Sequence, residues 1–574
     1  MSFRNRPVLD RKHRPRWQDE LRTQQLIVAG FAVAIAAAIG IFGAAAWSSH
    51  YQAHLRPIAA VGDVTFSLDD LTDRMDAMSA ELQARYEDLQ SRMGGTRDSL
   101  IDQALQSIRD AITGLGPDAA DTLVVGRVLS AAAGRYGISV SDDAVTAEVT
   151  KRQSLPERVK VSIITTTALP SDAPSGAKPT DADWARAEKE INDIADAIKG
   201  GADFAATARE KSSDSSATAG GSLSWIEVDD PLYATYFADA AKAATGDLLG
   251  PLKGDTGYRL VKVDGKKAAA TDRRFQELLS NAGVSDAEYR AYVRGDLLKA
   301  AFRNFFSTKV MAPYQPQREV AQIFIAAQQG QPLPVQRVRH FLAQPLPGEA
   351  DQSKATDAQW AAALARVEAF RVEASKPDAD WWVIAKGSDD PGSAARGGDL
   401  GWYDPSTSTF VPEFKAAITR LKVGDMSQPI KTQFGYHVIQ VVAERITVPV
   451  YAEQMVAALR AHPDDFAKTA RDQSEDAVSA PKGGELGWVI PYQVDKEQSD
   501  AIFKLTKPGE ISDPVTTSSG VYIFKLLDMA ELRWVPAQQL TAVRTSGFDR
   551  WLAEIRDSAG TWTDPQYVAA PPAQ

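Results

Sequence analysis

"GGDLGWYDPSTSTFVPEFKAAI", residues 397–418, holds an outline that returns as "GGSLSW" at 220–225 and as "GGELGW" at 483–488. Each version reads Gly-Gly-x-Leu-x-Trp. Each is followed at a near-constant distance by a glycine that precedes an apolar strand: 221 to 257, 398 to 435 and 484 to 520, separations of 36, 37 and 36 residues. The sequels "TGDLLGPLKGDTGY", "VGDMSQPIKTQFGY" and "PGEISDPVTTSSGV" share a Gly-acid turn, a proline at a strand start and a second glycine. Glycine admits positive φ and proline sets φ without donating a hydrogen bond, so these residues mark turns. Such a repeat predicts three copies of one βα module. The first copy spans 158–268, from "RVKVSIITT" through a helix at 181–199 to "TGYRLVKV". The second spans 335–446, from "RVRHFLAQ" through a helix near 361–374 to "FGYHVIQV". The third lacks a convincing first strand ahead of its helix, and "REVAQIFIAA" at 318–327 offers one. The third copy is therefore read as 318–327 plus 447–535, with the second inserted inside it.

Around these modules the pattern turns helical. Leu71, Met75, Met78, Leu82, Leu89 and Met93 recur at three- and four-residue steps, and Leu100, Ile101, Ala104, Leu105, Ile108 and Ile112 form a second stripe. A helix, a glycine stop and a new start at Ser141 follow, which makes 58–157 one helical part. A second part, 270–315, contains "GVSDAEYRAYVRGDLLKAAFRNFF", whose Ser285 and Glu288 have capping-box spacing. A C-terminal helix is read at 540–565. Segments rich in Pro, Ser and Gly, "LPSDAPSGAKPT" and "QQGQPLP", read as hinges.

The uncharged run "LIVAGFAVAIAAAIGIFGAAAW", 26–47, is long enough to cross about 30 Å of hydrocarbon and longer than a signal-peptide core. It reads as a signal anchor, with a cleaved signal peptide as the alternative. The Arg- and Lys-rich residues of 1–25 precede it, and the positive-inside bias leaves that tail cytoplasmic and everything after the span outside, in a periplasm or cell-wall space. The net charge of -11 argues against a nucleic-acid partner, and the absence of cysteine removes disulfides and thiol chemistry. No HExxH, P-loop GK[ST] or GxSxG is present, so metalloprotease, nucleotide-driven and serine-elbow chemistries lack their residues, and neither cofactor nor metal is expected.

Residues 388–441 together with "RVRHFLAQ" at 337–344 resemble the parvulin family of peptidyl-prolyl cis-trans isomerases. The helical parts resemble the chaperone core of extracytoplasmic foldases of the SurA, PrsA and PpiD type, and "GFDRWLAEIRDSAGTW" is similar to the helix that closes that core. The implied fold class is a multidomain α+β chain: an N-terminal transmembrane helix, a helical SurA-like chaperone core and three parvulin-like modules.

The resemblance also implies a site, and it places it in the second copy. His340 and His437, two of only six histidines, fall where parvulins set a facing pair. Leu400, Phe410 and Phe414 would form the slot for the prolyl ring, with Phe434 beside it in place of a Ser or Thr of some relatives. Trp402 is counted as a further substrate contact, although every copy keeps this tryptophan, as a scaffold aromatic would be kept. The position that carries Cys or Asp in active parvulins falls on Pro391, and Asp390 is taken as the substitute, with His340 and His437 as the catalytic set. Ser162 and Arg259 are read at the histidine positions of the first copy, and Gln322 and Tyr522 at those of the third. The expected function is isomerisation of X-Pro bonds together with chaperoning of unfolded exported proteins. The alternatives are a holdase that only binds extended chains and an envelope-assembly scaffold.

Overall fold

The computed structural model describes residues 16–93, 99–169, 178–228, 234–327 and 334–568. Residues 1–15 of the basic tail and most of both hinge segments, 170–177 and 328–333, lie outside the described residues. The chain divides into two compact units, Met1–Arg303 with Glu554–Gln574, and Asn304–Ala553.

The first unit begins with the helix Arg16–His50. Among the described residues one stretch is long and apolar enough to cross a membrane, Ala32–Leu55, and none of it is buried. The strand Pro57–Val61 then pairs antiparallel with Val64–Ser67 on one side and with Thr561–Thr563, from the far end of the chain, on the other. The helices Leu68–Met93, Ser99–Thr113, Leu115–Tyr136 and Asp142–Arg152 follow. Gly137 ends the third of them at φ 65° and the Ser141 hydroxyl caps the fourth, since glycine takes the left-handed turn freely and a serine oxygen can satisfy an orphan amide. The buried line of the first of these helices is Leu71, Ala77, Ala80, Ala84 and Leu89, with Met75 and Met78 only half-buried. Small alanines let Phe275, Leu279, Tyr289 and Val293 of two later helices, Arg273–Asn281 and Asp286–Phe305, approach closely. The Ser285 and Glu288 side chains exchange the capping-box bonds that open the last of these.

Three four-stranded antiparallel sheets share one strand order, with the first strand of each flanked by the Gly-Gly-x-Leu-x-Trp strand and the last. In the first sheet the order is Ser222–Ile226, Arg158–Thr167, Gly257–Lys267, Leu248–Lys253. The second unit holds the other two. The middle sheet runs Asp399–Tyr403, Val335–Ala343, Gly435–Arg445, Ile430–Thr432. The third runs Glu485–Val489, Tyr314–Ala326, Gly520–Trp534, Val515–Thr516. Its strand Tyr314–Ala326 comes before the whole middle sheet in sequence, yet pairs with Gly520–Trp534 in a register that sets Gln322 opposite Phe524. A matching device opens the crossover helices of the first two sheets: Thr180 with Asp183 and Thr356 with Gln359 form capping boxes for Asp181–Lys199 and Asp357–Ala374.

The paired glycines explain how the strands come so close. Gly221, Gly398 and Gly484 have φ of 80°, 79° and 87°, and a Cβ on them would stand 2.2, 2.1 and 2.4 Å from the carbonyl oxygens of Ile163, His340 and Gln322. The carbonyls of these glycines accept the amides of those same three residues at 2.8, 2.8 and 2.7 Å. This contact fixes which residues correspond. The equivalent of His340 in the first sheet is Ile163, and the reading of Ser162 there is corrected by one residue. Ser162 faces the other side, where its hydroxyl donates to Asp264, because successive strand side chains alternate. Arg259 and Tyr522 do hold the position of His437, each opposite the residue two beyond, Thr165 and Phe324, as His437 is opposite Leu342.

Candidate functional site in the middle sheet

His340 and His437 stand on adjacent antiparallel strands and face the helix Pro412–Ile418, which buries Phe414 and Ile418 against the same side of the sheet. Both imidazoles are buried, with 5% of each residue exposed. Their Nδ1 atoms are 3.1 Å apart. His340 Nε2 is 2.8 Å from Asp390 Oδ2 and 3.1 Å from Ser393 Oγ, and His437 Nε2 is 2.9 Å from Thr432 Oγ1. Asp390 caps the short helix Pro391–Ala394, accepting from the Gly392 amide at 3.1 Å and from the Ser393 hydroxyl.

The proton order follows from what each group can do. A carboxylate only accepts, so with neutral rings His340 Nε2–H donates to Asp390, and His340 Nδ1 must then accept. His437 donates to it from Nδ1, and its Nε2 accepts from the Thr432 hydroxyl. All four ring nitrogens are thereby engaged, and each ring is held in one tautomer. The hydrogen bond from His340 holds the Asp390 carboxyl well below the usual carboxylate range despite its partial burial. Burial pushes the His437 imidazole down to about 3, with His340 adding to the fall and Asp390 opposing it.

Beside the rings lies a cavity of about 510 Å³. His340, His437, Asp390, Leu400, Phe410 and Phe414 all line it, as does Phe434. Phe414 meets both imidazoles edge-on, with centroids 5.6 and 5.2 Å away, and Phe410 stands edge-on to Phe414 at 5.0 Å. Trp402, expected among the substrate contacts, is not part of this wall. It packs edge-on against Tyr451, donates from Nε1 to Glu475 at 3.0 Å and lies under the Arg445 guanidinium, all on the side toward the third sheet. Ser393 and Thr432 went unnoticed in the sequence. Thr432 Oγ1 also accepts the Phe434 amide at 3.1 Å. The signal for Ser393 was the recurrence of Asp476 and Ser479 in the third copy, at the same distance before the paired glycine as Asp390 and Ser393.

The third sheet repeats half of the network. Gln322 Nε2 donates to Asp476 Oδ2 at 2.9 Å, and the Ser479 hydroxyl donates to the same carboxylate. Gln322 replaces the first ring, however, and Gln498 occupies the helix position of Phe414. In the first sheet Ile163 removes the polar group altogether, and the Arg259 guanidinium lies 5.6 Å from the Tyr236 ring centroid.

The family described as PPIC-type PPIASE domain matches residues 147–267, 340–443 and 444–528, and the SurA-like N-terminal domain family matches 19–162. A Chaperone SurA of Pseudoalteromonas atlantica is 27% identical over 271 residues, 47% of this chain and 46% of that protein. A Chaperone SurA of Yersinia pestis is 28% identical over 284 residues, 49% of each. The chain thus spans about half the length of these curated relatives. Among solved structures, a PpiC-type peptidyl-prolyl cis-trans isomerase domain is 29% identical and covers 20% of this chain and 94% of its own, with a TM-score of 0.16. The chain therefore carries PPIC-type parvulin domains together with a SurA-like N-terminal domain.

Proposed function

We propose that the chain is an extracytoplasmic, membrane-anchored foldase that chaperones unfolded exported proteins and isomerises their X-Pro bonds at the middle sheet. The observation that carries this reading is the chain Thr432–His437–His340–Asp390 in the wall of an aromatic-lined cavity. Rotation about an X-Pro amide breaks no covalent bond, but a barrier of about 18–20 kcal/mol stands between the two planar forms. What accelerates it is tighter binding of the twisted amide than of either planar form. Phe410, Phe414 and Leu400 offer an apolar seat for the prolyl ring and exclude water around the amide. With every ring nitrogen already bonded, the histidines act as fixed dipoles beside the twisting amide and not as proton donors to it. The first and third sheets, with Ile163 and Arg259 or Gln322 and Tyr522 at the histidine positions, serve this foldase as inactive modules of the same build.

The test is cis-trans exchange of a short X-Pro peptide, followed by NMR with the full chain in detergent micelles. Wild type should accelerate exchange well above buffer, and the double change His340→Ala with His437→Ala should remove at least nine-tenths of that acceleration. Phe414→Ala should weaken it chiefly through KM. Exchange at the buffer rate in wild type would instead favour a holdase that uses its parvulin-like sheets only to bind extended chains.

A further inference from the structure

Among the described residues that line the middle cavity, the charged ones are two carboxylates, Asp389 and Asp390, and neither Lys nor Arg joins them. The two acids differ in their surroundings. Asp389 is neutralised: Arg366 grips it with two nitrogens at 2.7 and 3.0 Å, and the Gln344 amide donates to it at 2.7 Å. Asp390 is bonded to His340, to the Ser393 hydroxyl and to the Gly392 amide, with no Lys or Arg against it among the described residues. One uncompensated negative charge therefore stands in the wall beside the histidine rings. The same wall offers an aromatic surface in Phe434, which lines the cavity while 43% exposed. Its backbone amide donates to Thr432 Oγ1 at 3.1 Å, which ties its backbone to the turn that also holds His437.

The residue before proline supplies the carbonyl of the isomerised bond, so its side chain starts two bonds from the twisting carbon and cannot leave the field of a charge placed there. We infer that this site, if it isomerises X-Pro bonds as proposed above, discriminates by the charge of X: acidic and phosphorylated residues are rejected by Asp390, while apolar and basic ones are accepted, the apolar ones against Phe434. Two like charges at the separations of a small cavity, with partial solvent access, repel enough to change rates by roughly tenfold.

Four blocked peptides that differ only in X, with Glu, Gln, Leu or Lys before proline, test this with the full chain in detergent. Glu and Gln match in shape, so their ratio isolates charge. The expected result is a kcat/KM for Glu about tenfold below Gln, a ratio that shrinks as salt is raised, with Leu and Lys at or above Gln. Gln433→Lys, an exposed change on the cavity rim, should raise the Glu peptide selectively and at least threefold. Equal rates for Glu and Gln, or a ratio that Gln433→Lys leaves unmoved, overturn the charge preference while the isomerase reading stands. Exchange at the buffer rate with all four peptides overturns both.

Discussion

Thr432 does more than fill a turn: its hydroxyl donates to His437 Nε2 and so holds the tautomer that Asp390 sets through His340. Thr432→Val keeps the shape and removes the donor. It should lower kcat for X-Pro exchange roughly tenfold with KM little changed, since a positioning group acts on the twisted amide more than on binding. Loss in KM alone would show that the hydroxyl serves only packing. The same hydrogen-bond chain makes a second prediction. The unfolded chain binds a proton at His437 near pH 6.5, whereas the folded chain refuses it until about 3. The stability this ring contributes is therefore intact above pH 6.5 and declines as pH falls from 6.5 toward 3. Protection factors of the Gly435–Arg445 amides, which divide out the pH dependence of intrinsic exchange, should fall across that interval in wild type and be flatter in His437→Gln; identical profiles would place the acid sensitivity elsewhere. At this scale the sequence showed the histidine pair because histidines are scarce and the strands that hold them are plain. It hid Ser393 and Thr432 because hydroxyls are common and their partners lie on other elements. The slip from Ile163 to Ser162 has the same origin: one residue of strand register moves a side chain to the opposite face, and only the contact with Gly221 fixes the count.

Among the elements, the paired glycines belong to the frame and the histidines to one copy of it. Gly398 and Gly401 both hold positive φ, 79° and 76°, but a Cβ would collide with His340 O at the first and meet open space at the second. Gly401→Ala should cost about 1 kcal/mol of backbone strain, and Gly398→Ala clearly more, with loss of exchange activity because the His340 strand must move. Denaturant unfolding of the two variants checks the order; equal costs would deny the close approach any role. This frame was legible in the sequence, where turn residues and period-2 strands recur at a fixed spacing. The junction between the middle and third sheets was not. Arg337 and Arg339 alternate with Val338 and His340, and the alternation alone does not say what the arginine face meets. The Arg337 guanidinium is buried between Asp399 and the carbonyl of Ser474, and Arg339 meets Asp472 at 3.0 Å on the helix Phe466–Gln473. Trp402, with its indole on Glu475, belongs to this same junction, which is why a tryptophan of the shared frame proved to be no part of the cavity. In the helical core the equivalent surprise is that alanines, not methionines, join Leu71 and Leu89 in the buried line, since close approach of helices selects small residues and a count of apolar letters does not record size.

Across the whole molecule, one chain joins an apolar helix, a SurA-like helical domain and three sheets of one strand order, of which one holds the histidine pair. Under the proposed function the division follows from the chemistry: holding an unfolded segment needs broad apolar surface, whereas turning a proline needs one cavity with fixed dipoles, and a single such site would serve every proline that a bound chain presents. The proposed arrangement has the apolar helix hold the rest of the protein at a membrane surface. Ala32–Leu55 is none of it buried against the protein, and side chains such as Ile39, Ile41 and Phe42 are 67%, 69% and 75% exposed. In water that would leave a large apolar surface wet, at about 25 cal/mol per Å², while in a bilayer the same surface is solvated by lipid. The full chain should therefore remain in the membrane pellet after extraction at alkaline pH, and a chain that begins at residue 48 should be released. Protease added to cells whose outer layers are opened while the membrane that holds the helix stays sealed should degrade the sheets and spare only the N-terminal fragment. Release of the full chain by alkali, or protection of the sheets from external protease, would rule out the anchored, outward-facing arrangement.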